Sequence, residues 1–64
     1  MSPKIINNLN LYTLTVNESA ELAEQKAKDF IDKFKTLGKY DQLAISVLMD
    51  TNNWEKAFEE LNKL

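Results

Sequence analysis

The stretch "LGKYDQLAISVLMDTNNWEKAFEEL", from Leu37 to Leu61, decides the fold that the sequence predicts. It holds two segments with apolar residues at helical spacing, joined by the polar run at 50–53. Gly38 is expected to end a preceding helix as a C-terminal residue with left-handed backbone. Asp41 and Asn52 are residue types typical of helix N-caps. We therefore expect one helix from Asp41 to about residue 50 and another after Asn52. The first of these has few polar positions, which predicts that it is the most buried helix.

The segment before this stretch carries the most regular helical pattern of the chain. Its apolar residues follow a 3-4-3-4-3 spacing: Ala20, Ala23, Ala27, Phe30, Phe34 and Leu37. Asn17 or Ser19 can cap this helix, which we place at 18–37. The last helix has its own apolar stripe, formed by Trp54, Ala57, Phe58, Leu61 and Leu64. The predicted fold is therefore mostly α, with a small three-helix bundle over residues 18–64.

The N-terminal segment, residues 1–17, is predicted to be a β-strand or an extended arm. Its part "LNLYTLTV", from Leu9 to Val16, is rich in β-forming residues and partly alternates. A lone strand needs partners for its backbone groups. Three arrangements are open: a hairpin with residues 4–6 through Asn7-Asn8, pairing with the same strand of a second chain, or an arm packed on the helices. The candidates for strand pairing are Leu9, Leu11, Tyr12 and Leu14.

Size and composition exclude several classes of function. The chain has 64 residues, which predicts a single domain over 1–64, and it has no cysteine and no histidine. Disulfides, thiol or imidazole nucleophiles and the usual zinc ligands are therefore excluded. A single glycine excludes the glycine-rich loops that bind nucleotide phosphates. We expect no enzyme activity, no catalytic residue, no cofactor and no metal.

The charge pattern argues against nucleic acid and membrane partners. The net charge is −2, and the lysines of the predicted helix at 18–37 alternate with acidic residues, which is typical of a solvated face. Nucleic-acid-binding proteins usually carry a basic patch instead. No apolar run approaches the ~20 residues of a membrane span, and the N-terminus does not resemble a signal peptide. We expect a cytoplasmic protein.

The spacing of residues between Leu37 and Leu61 resembles that of the ubiquitin-associated (UBA) and UBA-like domains. The matching positions are Leu37-Gly38, Ala44 six residues after the glycine, Leu48 four further on, Thr51-Asn52-Asn53, Trp54 to Ala57, and Leu61. The family pattern at these places is a Met-Gly-Phe loop, an Ala, a Leu, an Asn-containing joint and a final amphipathic helix. The resemblance implies a three-helix module that binds a protein.

The chain departs from that family where ubiquitin-binding members contact ubiquitin. Lys39 stands in place of the loop Phe, with Tyr40 one residue later, and Asn62 follows Leu61 where the family often has a second apolar residue. These departures argue against ubiquitin binding, and the resemblance also extends to UBA-like modules that bind other proteins. By residue number, the candidates for protein binding are Leu37, Gly38, Lys39, Tyr40, Leu61 and Leu64.

Three functional hypotheses follow from the sequence. The first is a non-catalytic protein–protein interaction module, an adaptor or inhibitor that docks on a larger protein. The second is a dimeric regulator that is similar to ribbon-helix-helix DNA-binding proteins, because a predicted strand precedes a helix, Gly38 and a further helix. Its strand, however, carries no Arg or Lys. The third is a structural or assembly subunit that forms a homodimer through the N-terminal strand.

Overall fold

The computed structural model describes residues 2–64, which form four α-helices and no strand. They are α1 (Pro3–Val16), α2 (Ala20–Lys35), α3 (Lys39–Asp50) and α4 (Trp54–Lys63). Helix α1 packs chiefly against α2, and α3 packs chiefly against α4. Further contacts of α2 with α3 and α4 join these two pairs into one bundle.

The prediction of an N-terminal strand or extended arm is wrong, because Leu9–Val16 lies inside α1. The Ser2 hydroxyl caps α1 by accepting a hydrogen bond from the Ile5 amide (3.4 Å), and Pro3 occupies the first turn, where its missing N–H has no role. The β-branched Thr13 and Thr15 are accommodated because their hydroxyls donate to the carbonyls of Leu9 and Leu11. The fold is therefore a four-helix bundle rather than three helices with an arm.

All four helices contribute to one core. Its buried residues are Leu9, Ala27, Phe30, Ile45, Met49, Trp54, Ala57 and Leu61. The Phe30 ring meets Trp54 edge-on at 5.6 Å between centroids and lies 4.6 Å from Phe58. The Tyr12 ring of α1 also lies 5.6 Å from the Phe58 ring, between centroids. Each large apolar side chain buried here stabilises the fold by about 1.5–3 kcal/mol, so α1 is a structural part of the domain.

The helix boundaries follow the predicted caps only in part. Ser19 caps α2 as predicted, and its hydroxyl accepts from the Leu22 amide at 3.1 Å. Gly38 has φ −65°, so it is not a left-handed stop; it is the N-cap of α3, which begins two residues before Asp41. The residue with left-handed backbone is Asn52 (φ 61°), and Asn53 occupies the N-cap of α4. The joints α2–α3 and α3–α4 are therefore tight turns made without a left-handed glycine.

Candidate functional site

The residues predicted to bind a protein fall into two groups in the structure. Leu61 is 2% exposed and belongs to the core, and Leu37 is half-buried against it. Gly38, Lys39 and Tyr40 are exposed at the start of α3, and Leu64 is half-exposed after α4. The first group supports the fold, so the accessible part of the predicted site is centred on the N-terminus of α3.

The main apolar surface at this end of the molecule lies on the outward side of α3. Tyr40, Leu43 and Val47 are 87%, 63% and 55% exposed. Their spacing of three and four residues places them on one side of the helix, along roughly 10 Å of its axis. We call these three residues the α3 face. The prediction that this helix is the most buried one is wrong, because only its opposite side, with Ile45 and Met49, is buried in the core.

A shallow groove lies between α3 and the end of α2, and two residues of the α3 face, Tyr40 and Leu43, form part of its lining. It has a volume of about 330 Å³ and is lined by Phe34, Lys39, Tyr40, Gln42, Leu43 and Ser46. The Gln42 side-chain amide donates to the Phe34 carbonyl at 3.2 Å, which ties α3 to the end of α2 and fixes one wall of the groove.

The polar groups in this groove allow an apolar ligand surface to cover them. The Ser46 hydroxyl donates to the Leu43 carbonyl at 2.8 Å, so it has a partner even when water is removed. Among the described residues that line the groove, Lys39 is the one that carries a charge. The groove is therefore apolar with one cationic group at its rim.

The residues predicted to pair as a strand are separated by the helix. Leu9 is fully buried, and Tyr12 is half-buried against Phe58. Leu11 and Leu14 are 63% and 49% exposed on the outside of α1. The four side chains share no face, so pairing through a common strand edge is excluded by the helical backbone of α1.

The ionisable groups form few contacts with one another. Within residues 2–64, the ion pairs are those of Lys63 with Glu60 (3.4 Å) and Glu59 (3.6 Å). The attraction of the Glu60 carboxylate, aided by Glu59, raises the pKa of Lys63 above its ordinary value on the exposed last turn of α4. No group of three or more acidic residues in the described part of the chain has a metal-binding arrangement. None of the helices in residues 2–64 has the length and apolar character of a membrane span.

The chain matches no protein-family model, no curated protein and no solved structure at a significant level. The positions that carry the UBA-like resemblance differ in their surroundings. Ala57 and Leu61 are in the core and Leu48 is half-buried, whereas Gly38 and Ala44 are exposed. Part of the shared spacing therefore reflects core packing and part of it lies on the surface.

Sequence reasoning missed Leu43 and Val47 as surface residues. Their signal was present: Tyr40, Leu43 and Val47 form one helical stripe, while Ile45 and Met49 form a second on the other side. A helix in so small a domain has neighbours on one side only. Two apolar stripes on such a helix indicate that one of them faces solvent.

Proposed function

We propose that this chain is a non-catalytic protein–protein interaction module, an adaptor or inhibitor that docks on a larger protein through the α3 face. The observation that carries the proposal is the exposure of Tyr40, Leu43 and Val47 side by side on one helix. Clustered apolar residues on a small monomer favour association, whereas single exposed ones are ordinary. Burial of this stripe against a partner would remove it from water and so supply the free energy of binding.

The chemistry of the groove favours a particular kind of partner. Its apolar walls accept aliphatic or aromatic side chains, and the Lys39 ammonium group favours a carboxylate at the rim. An amphipathic helix with acidic residues beside its apolar stripe meets both requirements, and helices bind apolar grooves in this way in other complexes. Tyr40 has the amphipathic ring that is enriched at the centres of protein interfaces.

We also propose that α2, α3 and α4 form a UBA-like unit whose partner is not ubiquitin. Support comes from the positions that match the family: Leu37-Gly38 in the α2–α3 joint, Thr51-Asn52-Asn53 in the α3–α4 joint, and Ala57 and Leu61 in the core. The departures at Lys39 and Asn62 are both exposed, where a partner would meet them.

Residues 2–64 of the structure lack the strand on which the ribbon-helix-helix hypothesis was based. It requires a strand before the first helix to enter a DNA groove, and residues 9–16 are part of α1. No other observation favours DNA binding.

The test compares capture of a partner by variants of the immobilised protein from a lysate of its native cells. Wild type and Leu22→Asp are expected to retain one stoichiometric protein, and Leu43→Asp is expected to lose it. Leu22 is the matched control because it is an exposed leucine on α2, 47% accessible. A central apolar contact contributes about 2 kcal/mol or more to an interface, which corresponds to an affinity loss of roughly 30-fold.

A charge reversal tests the predicted chemistry of the partner. Lys39→Glu should weaken capture of the same protein, while Lys28→Glu on the exposed side of α2 should leave it unchanged. Circular dichroism confirms that each variant is folded, and added ubiquitin should not compete with the captured protein. Equal capture by wild type and Leu43→Asp, or recovery of nucleic acid alone, would overturn the proposal.

A further inference from the structure

The outward side of α1 carries a second stripe that the proposed function does not use. Lys4, Asn7, Leu11 and Leu14 follow a 3-4-3 spacing and are all exposed. This is the spacing of the contact positions in a pair of coiled helices. We call these four residues the α1 face. The opposite side of the helix, with Leu9 and Thr13, packs into the bundle.

The middle of the α1 face has no charge. Lys4 is the one charged residue of the 14 in this helix, so the other residues of the face, Asn7, Leu11 and Leu14, are uncharged. Beside these residues the Thr15 hydroxyl donates to the Leu11 carbonyl at 2.8 Å. This hydrogen bond remains when a contact with another protein removes water from the surface. Depletion of charge at the centre is a compositional mark of protein interfaces.

Opposite charges lie near the two ends of α1. Lys4 is in the first turn of α1, and Glu18 is exposed in the joint that follows the helix. The helical rise from Lys4 to Val16 alone is roughly 18 Å, and Glu18 follows after the extended residue Asn17. Neither residue is in an ion pair within residues 2–64.

This arrangement of charge selects one orientation for a pair of identical helices. In a parallel pair, Lys4 would lie beside Lys4 and Glu18 beside Glu18, which is repulsive. In an antiparallel pair about a two-fold axis through Leu11, the end of α1 that carries Lys4 in each copy lies near the joint that carries Glu18 in the other. A two-fold interface requires such self-complementarity, and the opposite charges near the two ends of α1 supply it in this orientation.

We propose that the α1 face binds the α1 face of a second copy of this chain in an antiparallel, two-fold dimer. One helix face covers less than the ~800 Å² per partner of a standard protein interface, so the dimer is weak and its population rises with concentration. Pairing is between helices, and the backbone hydrogen bonds of α1 stay within each chain. The α3 face is on a different helix and remains free for the proposed partner.

The experiment is sedimentation equilibrium over a wide concentration range at low salt, with charge variants at the two ends. Wild type is expected to show a monomer–dimer equilibrium. Lys4→Glu and Glu18→Lys should each weaken self-association several-fold, because each places like charges opposite one another. The double variant Lys4→Glu/Glu18→Lys should recover it, and an equal mixture of the two single variants should form a heterodimer tighter than either homodimer.

Two further variants keep the test decisive. Leu11→Asp should abolish dimer formation while circular dichroism shows an intact helical fold, and Lys28→Glu on α2 should leave the dimer unchanged. A wild-type chain that is monomeric at every concentration would overturn the proposal. So would a dimer that survives Leu11→Asp, or one in which the mixed single variants pair no better than each alone.

Discussion

At the scale of single residues, Asn52 is the position where the backbone and a core side chain depend on one another. It has left-handed backbone (φ 61°), and its side-chain oxygen accepts a hydrogen bond from the Trp54 indole N–H at 2.8 Å. Asn tolerates this backbone better than most residues because its short polar side chain bonds locally. Asn52 therefore shapes the α3–α4 joint and also satisfies the one polar group of a buried ring.

Substitutions at Asn52 separate these two roles. Asn52→Gly keeps the backbone conformation but removes the acceptor of the indole bond, and we expect a loss of about 0.5–1.5 kcal/mol in the free energy of unfolding. Asn52→Ala removes the same bond and adds left-handed strain, so it should destabilise by about 1 kcal/mol more. Thermal unfolding followed by circular dichroism measures both variants.

The control is Asn62→Ala on the exposed last turn of α4, which should change stability by no more than about 0.5 kcal/mol. If Asn52→Gly were as destabilising as Asn52→Ala, the left-handed backbone would play no part in the effect.

Among the elements, α1 is the one whose helical structure is most directly tested by substitutions. Leu9 and Leu11 are two residues apart, so a strand would place them on the same face and a helix places them on nearly opposite sides. In the structure Leu9 is fully buried and Leu11 is 63% exposed. The two leucines should therefore respond very differently to truncation.

Leu9→Ala is expected to destabilise the domain by about 2–5 kcal/mol, since it leaves a cavity in the core. Leu11→Ala should change the free energy of unfolding by no more than about 0.5 kcal/mol. A domain of this length has only about 3–10 kcal/mol of stability, so Leu9→Met is the gentler variant, with an expected loss below about 1.5 kcal/mol. Urea unfolding at low protein concentration measures all three.

Equal losses for Leu9→Ala and Leu11→Ala would contradict the helical assignment of this segment. A small loss for both would instead indicate an arm that contributes nothing to the core.

The sequence predicted α2, α3 and α4 because tertiary packing agrees with their local signals, as in the alanine and phenylalanine stripe of α2. It failed for α1 because threonine, tyrosine and valine favour strands, and the bundle overrides that preference. Evidence for a helix was present in Ser2-Pro3, a cap followed by a first-turn proline, and in the spacing of Ile5, Leu9, Tyr12 and Val16. Gly38 was misassigned because a glycine can also stand before a helix with ordinary φ.

The candidate site was predicted only in outline. Lys39 and Tyr40 were expected at a binding surface, and both are exposed and line the groove. Leu61 was expected there too, but it completes the core, because the last helix turns its apolar stripe inward. Which apolar stripe of α3 faces solvent depends on the placement of α4 against it, and the pattern of one helix does not contain that information.

At the scale of the whole molecule, the two exposed apolar stripes belong to different halves of the bundle. The α1 face is on a helix that packs chiefly against α2, and the α3 face is on one that packs chiefly against α4. No described residue belongs to both. The bundle thus separates the two proposed interactions, self-association and partner binding.

Variants in one face should therefore leave the other interaction unchanged. We expect Leu43→Asp to lose partner binding and to dimerise like wild type, and Lys4→Glu to weaken the dimer while capturing the partner normally. Distant, unshared sites usually act additively, so the double variant should show both defects at their single-variant sizes. Sedimentation and partner capture measure the two properties on the same four proteins. If a variant in one face changed the interaction of the other face, the two surfaces would depend on a shared structural element.

The tryptophan and the two tyrosines of this bundle lie in three different environments, which has a consequence for optical spectroscopy. Trp54 is the single tryptophan and is buried edge-on against Phe30, so its emission reports the packing of α4 on α2. Tyr12 lies against Phe58 where α1 meets α4, and Tyr40 stands almost fully in solvent on the α3 face. The unlabelled chain thus carries one chromophore for its core, one for the docking of α1 and one for occupancy of its outer surface.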